Sequence, residues 1–265
     1  MAQTDLKHRF GPTALVTGAS DGIGRAIAEA LAAQGFDLVL VARRESVLQA
    51  LSRDIVAGHG VKVQVIAADL SQPDASARVL ARTADLPVGL LVAAAGFGSL
   101  GAFLDLDPVV EANMVDLNCR AVVELAHGFG KRMAAVGGGG MVLFGSLVGF
   151  QGVPGSATYA ATKGFVQSFS EGLAVEFRPL GITVLSVAPG PVGTGFAARA
   201  GMQMSRSDTP EAVAAAVLAA LPGGGTLRPG FMGKLLGYAL APLPRWGRVR
   251  VLGQIMKGMR AGARA

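Results

Sequence analysis

Apolar residues along this chain follow two different spacings. Six short runs are rich in apolar or β-branched residues, and most are apolar at nearly every position, which is typical of strands buried on both faces of a parallel sheet. These runs are Ala14–Thr17, Leu38–Ala42, Val61–Ala67, Leu90–Ala94, Met141–Phe144 and Ile182–Val187. Between them lie more polar segments with periodic apolar residues, such as Ile23, Ile27 and Leu31, each four positions apart. That spacing predicts amphipathic helices, the first two over Asp21–Gln34 and Glu45–Ala57.

The alternation of strand and helix segments predicts a doubly wound α/β fold, with about seven parallel strands and helices on both faces. The 265 residues, 51% of them hydrophobic, are enough for one large core. No internal repeat or long linker divides the chain, so residues 1–265 are predicted to form a single Rossmann-like domain. Residues 228–265 mix Pro, Gly, apolar and basic residues and are predicted to form a helical C-terminal extension of that domain.

Positive charge is concentrated in this extension. The formal net charge is +6, but eight of the 24 Lys and Arg residues lie from Arg228 onward, where there is no acidic residue. Three hypotheses fit a basic and partly apolar tail: it covers the core or an oligomer interface, it rests on an anionic membrane, or it binds nucleic acid. We favour the first, because prolines interrupt any long amphipathic helix and no motif that reads nucleic acid is present.

Residue counts argue against metal and disulfide chemistry. Cys119 is the single cysteine, and the three histidines, His8, His59 and His127, lie far apart in the sequence. The N-terminus lacks the apolar core of a signal peptide, and the apolar run Ala212–Leu221 is shorter than the ~20 residues that span a bilayer. We therefore expect a cytoplasmic protein without a metal, whose chemistry depends on an organic cofactor.

A glycine-rich turn joins the first predicted strand to the first long helix. Gly18, Gly22 and Gly24 follow the pattern G-x-x-x-G-x-G, with Ser20 and Ile23 between them. Glycines let a pyrophosphate approach the backbone closely, and the start of a helix offers free N–H groups and the positive end of its dipole. The context predicts a dinucleotide site, the alternative being a glycine-rich turn without a ligand.

The end of the second predicted strand indicates which nucleotide is bound. Ala42 stands where an acidic residue would bind the ribose hydroxyls of NAD, and Arg43 and Arg44 follow it. A guanidinium group suits the 2′-phosphate of NADP, so we predict a preference for NADP(H). The alternative is two solvated surface arginines. Asp21 in the glycine turn weighs against the phosphate, because a basic residue there would help to bind it.

Three polar residues suggest a centre for proton transfer. Ser146 ends an apolar strand, and Tyr159 and Lys163 are spaced to lie on one face of the next helix. An ammonium group near a phenol favours the phenolate, so Lys163 is expected to lower the pKa of Tyr159. Such a tyrosine exchanges a proton with an alcohol or carbonyl. Taken alone, the pair is equally compatible with an aromatic anchor and a lysine that extends its ammonium group to solvent.

The order of the motifs resembles the short-chain dehydrogenase/reductase family over roughly Thr13 to Thr194. The motifs are "TGASDGIG", "ADL" ending at Leu70, "AAAG" at Ala93–Gly96, "DLNCRA" around Asn118, "YAATK" thirteen residues after Ser146, and "PGPVGT" at Pro189–Thr194. One departure is clear, because alanines stand at 93 and 94 where the family motif has two asparagines. This change is expected to weaken cofactor binding and to leave hydride transfer in place.

The resemblance implies a role for each site residue. Tyr159 would be the general acid/base, Ser146 would orient and polarise the substrate carbonyl, and Lys163 would bond to the nicotinamide ribose. Asn118 would hold a water that relays protons to Lys163. Asp69 would face the adenine, and the nicotinamide carboxamide would contact Val192 and Thr194. The implied NAD(P) contacts are Gly18, Ser20, Gly22, Ile23, Gly24, Arg43, Arg44, Asp69, Leu70, Ala94, Ala95, Gly96, Tyr159, Lys163, Pro189, Gly190, Val192 and Thr194.

Apolar residues near the predicted catalytic centre suggest the substrate. Phe97, Phe196 and Met202, beside Ser146, are candidates for a pocket that takes a hydrophobic ketone or a 3-oxoacyl-type substrate. They are equally able to pack the loops alone. The sequence thus predicts an NADP(H)-preferring oxidoreductase that interconverts a carbonyl and a secondary alcohol, as a homodimer or homotetramer. The alternatives are a non-catalytic redox sensor that binds NAD(P) and a membrane-associated lipid or acyl-chain reductase.

Overall fold

Seven parallel strands form one sheet in the order β3-β2-β1-β4-β5-β6-β7 in this computed structural model. It describes residues 6–196, 207–230, 239 and 242–261, the last five as helix backbone only. The strands are β1 (Thr13–Thr17), β2 (Asp37–Ala42), β3 (Val63–Ala67), β4 (Val88–Ala93), β5 (Gly139–Phe144), β6 (Ile182–Val187) and β7 (Gly225–Leu227). The order reverses between β1 and β4, which confirms the doubly wound fold predicted from the sequence.

Helices cover both faces of this sheet. They are α1 (Leu6–Phe10), α2 (Gly22–Ala32), α3 (Glu45–His59), α4 (Ala75–Arg82), α5 (Pro108–Val115), α6 (Ala121–Ala135), α7 (Ala157–Glu176), α8 (Pro210–Ala220) and α9 (Arg245–Ala261). A π-helical turn, Asp116–Arg120, joins α5 to α6, and short 3₁₀ turns span Phe103–Asp105, Leu147–Phe150, Arg178–Leu180 and Leu221–Gly223. Among the described residues, no helix is long and apolar enough to cross a membrane.

Two apolar cores lie on opposite sides of the sheet because successive strand residues face opposite ways. In β2, Leu38 and Leu40 join the core under α2, α3 and α8, whereas Val39 and Val41 join the core under α4, α6 and α7. All four side chains are buried. Strands that are apolar on both faces are therefore stabilised from both sides, as the continuous apolar runs predict.

The structure differs from the sequence prediction mainly at the ends of elements and at the sheet edge. β3 begins at Val63 and not at Val61, and β4 begins two residues before the predicted Leu90. β7, the seventh strand, which the sequence pattern did not locate, has only three residues, Gly225–Leu227, and pairs with β6 along the edge of the sheet. Its position depends on a partner strand distant in sequence.

The described part of the C-terminal extension packs on the domain. Leu252 and Met256 of α9 are buried against Val153, in the loop before α7, and Ala160, in the first turn of α7. The helix therefore lies over the carboxyl ends of β5 and β6, and it brings both apolar and basic side chains to that edge of the sheet.

Candidate active site

A cavity of about 510 Å³ lies along the carboxyl ends of the strands. Twenty-one of the residues predicted for the cofactor, the proton transfer or the substrate line it: Gly18, Ser20, Gly22, Ile23, Gly24, Arg43, Arg44, Asp69, Leu70, Ala94, Ala95, Gly96, Phe97, Ser146, Tyr159, Lys163, Pro189, Gly190, Val192, Thr194 and Phe196. The position agrees with the rule that open α/β sheets bind ligands where the strand order reverses. Met202 lies outside the described residues.

The glycine turn is packed too closely for larger residues. Gly18 and Gly22 have positive φ angles of 68° and 53°. A Cβ at Gly24 would lie 2.5 Å from the carbonyl oxygen of Gly18, and a Cβ at Gly18 would lie 2.9 Å from that of Ala94. Helix α2 begins at Gly22, so its unpaired N–H groups lie at the cavity wall. Asp21, at the N-cap, makes no capping hydrogen bond with its side chain.

Arg44 connects the end of β2 to this turn. Its Nη2 donates to the carbonyl oxygen of Ser20 at 3.0 Å and to Ser20 Oγ at 3.3 Å. Arg43 lines the same part of the cavity, and both arginines are exposed. Asp69, after β3, accepts hydrogen bonds at Oδ1 from the backbone N–H and the hydroxyl of Ser71. Two guanidinium groups therefore lie where β2 meets the cavity.

Ser146, Tyr159 and Lys163 meet at the opposite part of the cavity. Ser146 follows β5, and Tyr159 and Lys163 project from the first turns of α7. The Nζ of Lys163 donates to the carbonyl oxygen of Phe144 at 2.8 Å and lies 5.7 Å from the centre of the Tyr159 ring. The Tyr159 ring also packs on that of Phe196, with 5.4 Å between ring centres.

The expected lowering of the pKa of Tyr159 by Lys163 is wrong in this structure. Burial raises the pKa of Tyr159 to about 12, because a low-dielectric pocket disfavours the phenolate, and a hydrogen bond with Ser146 opposes this rise. Burial also lowers the pKa of Lys163 to about 8. The Lys163 ammonium group does not offset the rise in the pKa of Tyr159, and it donates its hydrogen bond to the carbonyl oxygen of Phe144.

Asn118 lies behind the cavity wall on the π-helical turn. Its Nδ2 donates to the carbonyl oxygen of Phe97 at 2.9 Å and to Thr162 Oγ1 at 3.0 Å, and its Oδ1 accepts from the Phe97 N–H. A Cβ at Gly96 would lie 3.0 Å from Asn118 Oδ1 and 3.5 Å from Lys163 Nζ. In this structure the Asn118 amide thus ties the loop after β4 to α7, and its role in a proton relay stays a prediction.

The loop that carries alanines in place of the two family asparagines is supported by a threonine from a neighbouring strand. Thr17 Oγ1 accepts a hydrogen bond of 3.0 Å from the backbone N–H of Ala95, across the sheet from β1 to the end of β4. Thr17 is buried, and Ala94 and Ala95 both line the cavity. This bond was not predicted, because the sequence does not indicate which polar side chain reaches a loop about 80 residues away.

Sequence reasoning also missed the far wall of the cavity. This wall consists of the 3₁₀ turn after Ser146, the residue after β7 and one face of α9. Its members are Leu147, Val148, Phe150, Gln151, Arg228, Arg248, Leu252, Ile255 and Met256. The only signal in the sequence was the mixture of basic and apolar residues after position 228, which does not specify what that segment contacts.

Comparisons with known proteins agree with this arrangement. A family model described as short chain dehydrogenase matches residues 12–205. A 7beta-hydroxysteroid dehydrogenase of Clostridium sardiniense is 30% identical over 80% of each chain. Very-long-chain 3-oxoacyl-CoA reductase-A of Danio rerio is 34% identical over 71% of this chain and 60% of its own. A short-chain dehydrogenase from Sphingobium yanoikuyae, solved in complex with NADPH, has a TM-score of 0.81 and 34% identity, covering 87% of this chain and 92% of the other.

The family match spans most of the chain, including the glycine turn and the Ser146, Tyr159 and Lys163 positions. It decides between an enzyme and a non-catalytic redox sensor, the alternative that the sequence left open. The chain belongs to the short-chain dehydrogenase/reductase family and is an NAD(P)-dependent oxidoreductase that acts on CH–OH groups.

Proposed function

We propose that this protein is an NADP(H)-preferring reductase of hydrophobic ketones or 3-oxoacyl-type substrates. The observation that carries the proposal is the single cavity that joins the glycine turn and two arginines at one end to Ser146, Tyr159 and Lys163 at the other. Such a cavity accommodates an extended dinucleotide, with its reactive ring beside a proton donor.

The residues present fit a dinucleotide cofactor. N–H groups at the start of α2 and a turn without side chains at Gly18, Gly22 and Gly24 would hold the pyrophosphate. Asp69 and Leu70 would lie against the adenine, and Pro189 to Thr194 against the nicotinamide carboxamide. When bound, the nicotinamide ring supplies or accepts the hydride.

Arg43 and Arg44 would bind the 2′-phosphate that distinguishes NADP from NAD. They follow β2, where the adenosine ribose lies in dinucleotide-binding folds, and the described cavity has no acidic residue at that strand end. The bond from Arg44 to Ser20 holds one guanidinium group beside the glycine turn. The NADPH complex of the Sphingobium relative supports the same preference.

Tyr159 would donate the proton in the direction of reduction. With a pKa of about 12, its hydroxyl stays protonated at neutral pH and is ready to transfer that proton to the substrate oxygen. The Ser146 hydroxyl would hold the same oxygen. Lys163, largely charged at neutral pH with a pKa of about 8, would stabilise the phenolate that forms. Oxidation would need the phenolate first, which the burial of Tyr159 disfavours.

The substrate side of the cavity is mostly apolar. Phe97 and Phe196 lie on the wall near Tyr159, and Leu252, Ile255 and Met256 lie on the wall that α9 provides. These side chains suit a bulky hydrophobic substrate. The similarity to a hydroxysteroid dehydrogenase and a very-long-chain 3-oxoacyl-CoA reductase supports the same class.

A homodimer or homotetramer is the assembly that we propose. Several large apolar side chains are exposed before and along α5 and on α7: Phe103, Leu104, Val109, Val110 and Phe165. Monomers rarely leave large apolar patches exposed to solvent, so these residues support an oligomer. Sedimentation analysis would test this, and a monomer at micromolar concentration would contradict it.

The test of the proposed function is a screen of bulky ketones that follows the absorbance of NADPH. Wild-type protein should reduce hydrophobic ketones with NADPH in preference to NADH. Tyr159→Phe should lower kcat by about 10³-fold or more while NADPH still binds, because only the proton donor is removed. Turnover that survives this substitution would exclude Tyr159 as the acid.

A further inference from the structure

Arg228 is a charged residue in the cavity that the proposed chemistry does not use. It follows β7, whose Leu227 accepts a hydrogen bond from Ala188 after β6, and it lines the cavity with Ser146 and Tyr159. Its guanidinium carbon lies 4.5 Å from the centre of the Phe150 ring. Phe150 ends the 3₁₀ turn that begins directly after Ser146. Arg228 therefore belongs to the substrate side of the cavity.

The charge of Arg228 is not neutralised by the described residues. Its Nε is shielded from solvent and has no hydrogen-bond partner there. None of the four ion pairs among the described residues includes Arg228. Asp208, whose carboxylate lies beside Gly230, forms no ion pair with it either. A shielded N–H group without an acceptor is costly, so this position favours a ligand that supplies one.

The cofactor phosphates are too far away to be that acceptor. Arg43 and Arg44 follow β2, and β7 is five strands further along the sheet. At ~4.8 Å between neighbouring strands, the separation is about 24 Å. The glycine turn after β1 is four strands from β7, or about 19 Å away by the same spacing. Arg228 is therefore too far from the proposed phosphate sites to bind a cofactor phosphate.

The contact with Phe150 holds the guanidinium group on the cavity wall. The guanidinium carbon lies over the Phe150 ring, which holds the group in place by a cation–π contact, and the planar group carries five N–H donors. A guanidinium group is suited to two parallel hydrogen bonds to a carboxylate or a phosphate. Arg248, on α9, lines the same cavity and adds positive charge, although its Nε donates to the carbonyl oxygen of Leu243. The acidic residues that line the cavity, Asp21 and Asp69, follow β1 and β3 and not β7.

We propose that Arg228 binds an anionic group, a carboxylate or a phosphate, carried by the hydrophobic substrate. The inference rests on the proposed function, because it assumes that the apolar cavity around Tyr159 receives the substrate. It narrows the substrate class to amphipathic ketones or alcohols with a negatively charged group. Arg228 is then a residue that determines specificity and takes no part in hydride or proton transfer.

Calorimetry with matched ligands tests this inference independently of turnover. The enzyme would be saturated with NADP⁺, so that ketones bind without being reduced. One pair is a 7-oxosteroid with a side-chain carboxylate and its methyl ester. The other is a 3-oxoacyl coenzyme A thioester and its N-acetylcysteamine analogue, which lacks the phosphates. We expect the anionic member of one pair to bind about 10- to 100-fold more tightly, and the pair that shows it distinguishes carboxylate from phosphate.

Variants then assign the preference to Arg228. Arg228→Gln should abolish it, and Arg228→Lys should retain part of it, because the charge remains without the planar fork. Arg250→Gln is the matched control, because it removes the same charge from an arginine of α9 that is exposed beside Trp246 and lies outside the cavity. It should retain the full preference. A melting curve for each variant checks that it folds. The comparison of anionic and neutral ligands on the wild-type protein does not depend on the folding of any variant.

The outcomes separate this inference from the proposed function. No preference for the anion in either wild-type pair, or a preference that survives Arg228→Gln, overturns the role of Arg228. NADPH-dependent reduction of the neutral ligands would still support the proposed function. Conversely, tight binding of the anionic ligands without NADPH oxidation would support the anion site and contradict the proposed reductase activity.

Discussion

The protonation state of Lys163 is expected to limit activity at alkaline pH. Burial lowers its pKa to about 8, so the ammonium charge is present at neutral pH and is lost as the pH rises through 8. Without that charge the phenolate left by proton donation is less stable, and kcat for reduction should fall by about tenfold between pH 7 and 9. A pH–rate profile at saturating substrate would check this. A flat profile to pH 10 would mean that Lys163 stays charged or is not needed.

Thr17 is expected to be important for cofactor binding although it bears no reactive group. Thr17→Val keeps the shape of the side chain but leaves the N–H of Ala95 without its acceptor, which costs about 1–3 kcal/mol. We expect lower stability in denaturant and weaker NADPH binding by fluorescence titration. Thr183→Val is the control, because Thr183 lies at the other end of the sheet and accepts only an exposed bond from Arg9. Unchanged NADPH affinity in Thr17→Val would contradict the prediction.

For single residues, the sequence predicted position better than pKa. The positions of Tyr159 and Lys163 on one helix follow from their spacing, and the structure places both in the cavity. The direction of the Tyr159 pKa shift did not follow, because it depends on how much of the chain covers the phenol. Burial is a property of the tertiary structure, whereas the i,i+4 spacing is local.

At the scale of elements, the glycine turn and α2 depend on close backbone contact. A Cβ at Gly24 would lie 2.5 Å from the Gly18 carbonyl oxygen, which is backbone and cannot rotate away. Gly24→Ala should therefore destabilise the fold by about 1–3 kcal/mol and displace the start of α2, weakening NADPH binding. In contrast, Gly58→Ala on α3 has open space around the new methyl group and should stabilise the protein by about 0.5–1 kcal/mol. Equal effects of the two substitutions in urea unfolding would contradict this account.

The elements that sequence reasoning found and missed differ in how they are stabilised. The five inner strands carry their own signal, because burial on both faces requires continuous apolar runs such as Leu38–Ala42, and edge strand β3 was found from its β-branched residues. Edge strand β7 has three residues, and two of them are exposed. Helix α9 has a mixed composition that predicts a helix but not its position over the cavity. Only the folded chain brings Leu252 next to Val153.

At the scale of the whole molecule, most residues assigned to the dinucleotide and those assigned to proton transfer and substrate lie at the ends of different strands. The ends of β1, β2 and β3 carry the glycine turn, the two arginines and Asp69, all assigned to the dinucleotide. The ends of β5, β6 and β7, with α9 above them, carry the proton-transfer residues and the substrate wall. Changes at the ends of β1, β2 and β3 should therefore weaken NADP(H) binding more than substrate binding. The loop Pro189–Thr194 after β6 is shared, because it is also assigned to the nicotinamide end of the cofactor.

The apolar face of α9 tests this separation. Replacing both Leu252 and Met256 with Ala removes buried side chains from the cavity wall. We expect KM for a bulky hydrophobic ketone to rise about tenfold or more, from the loss of about 1.4 kcal/mol or more of apolar contact, while the Kd for NADPH stays within twofold. Val251→Ala, on the same helix but more exposed, should change neither constant. If the double variant weakens NADPH and ketone binding equally, α9 stabilises the whole domain and does not form a separate substrate wall.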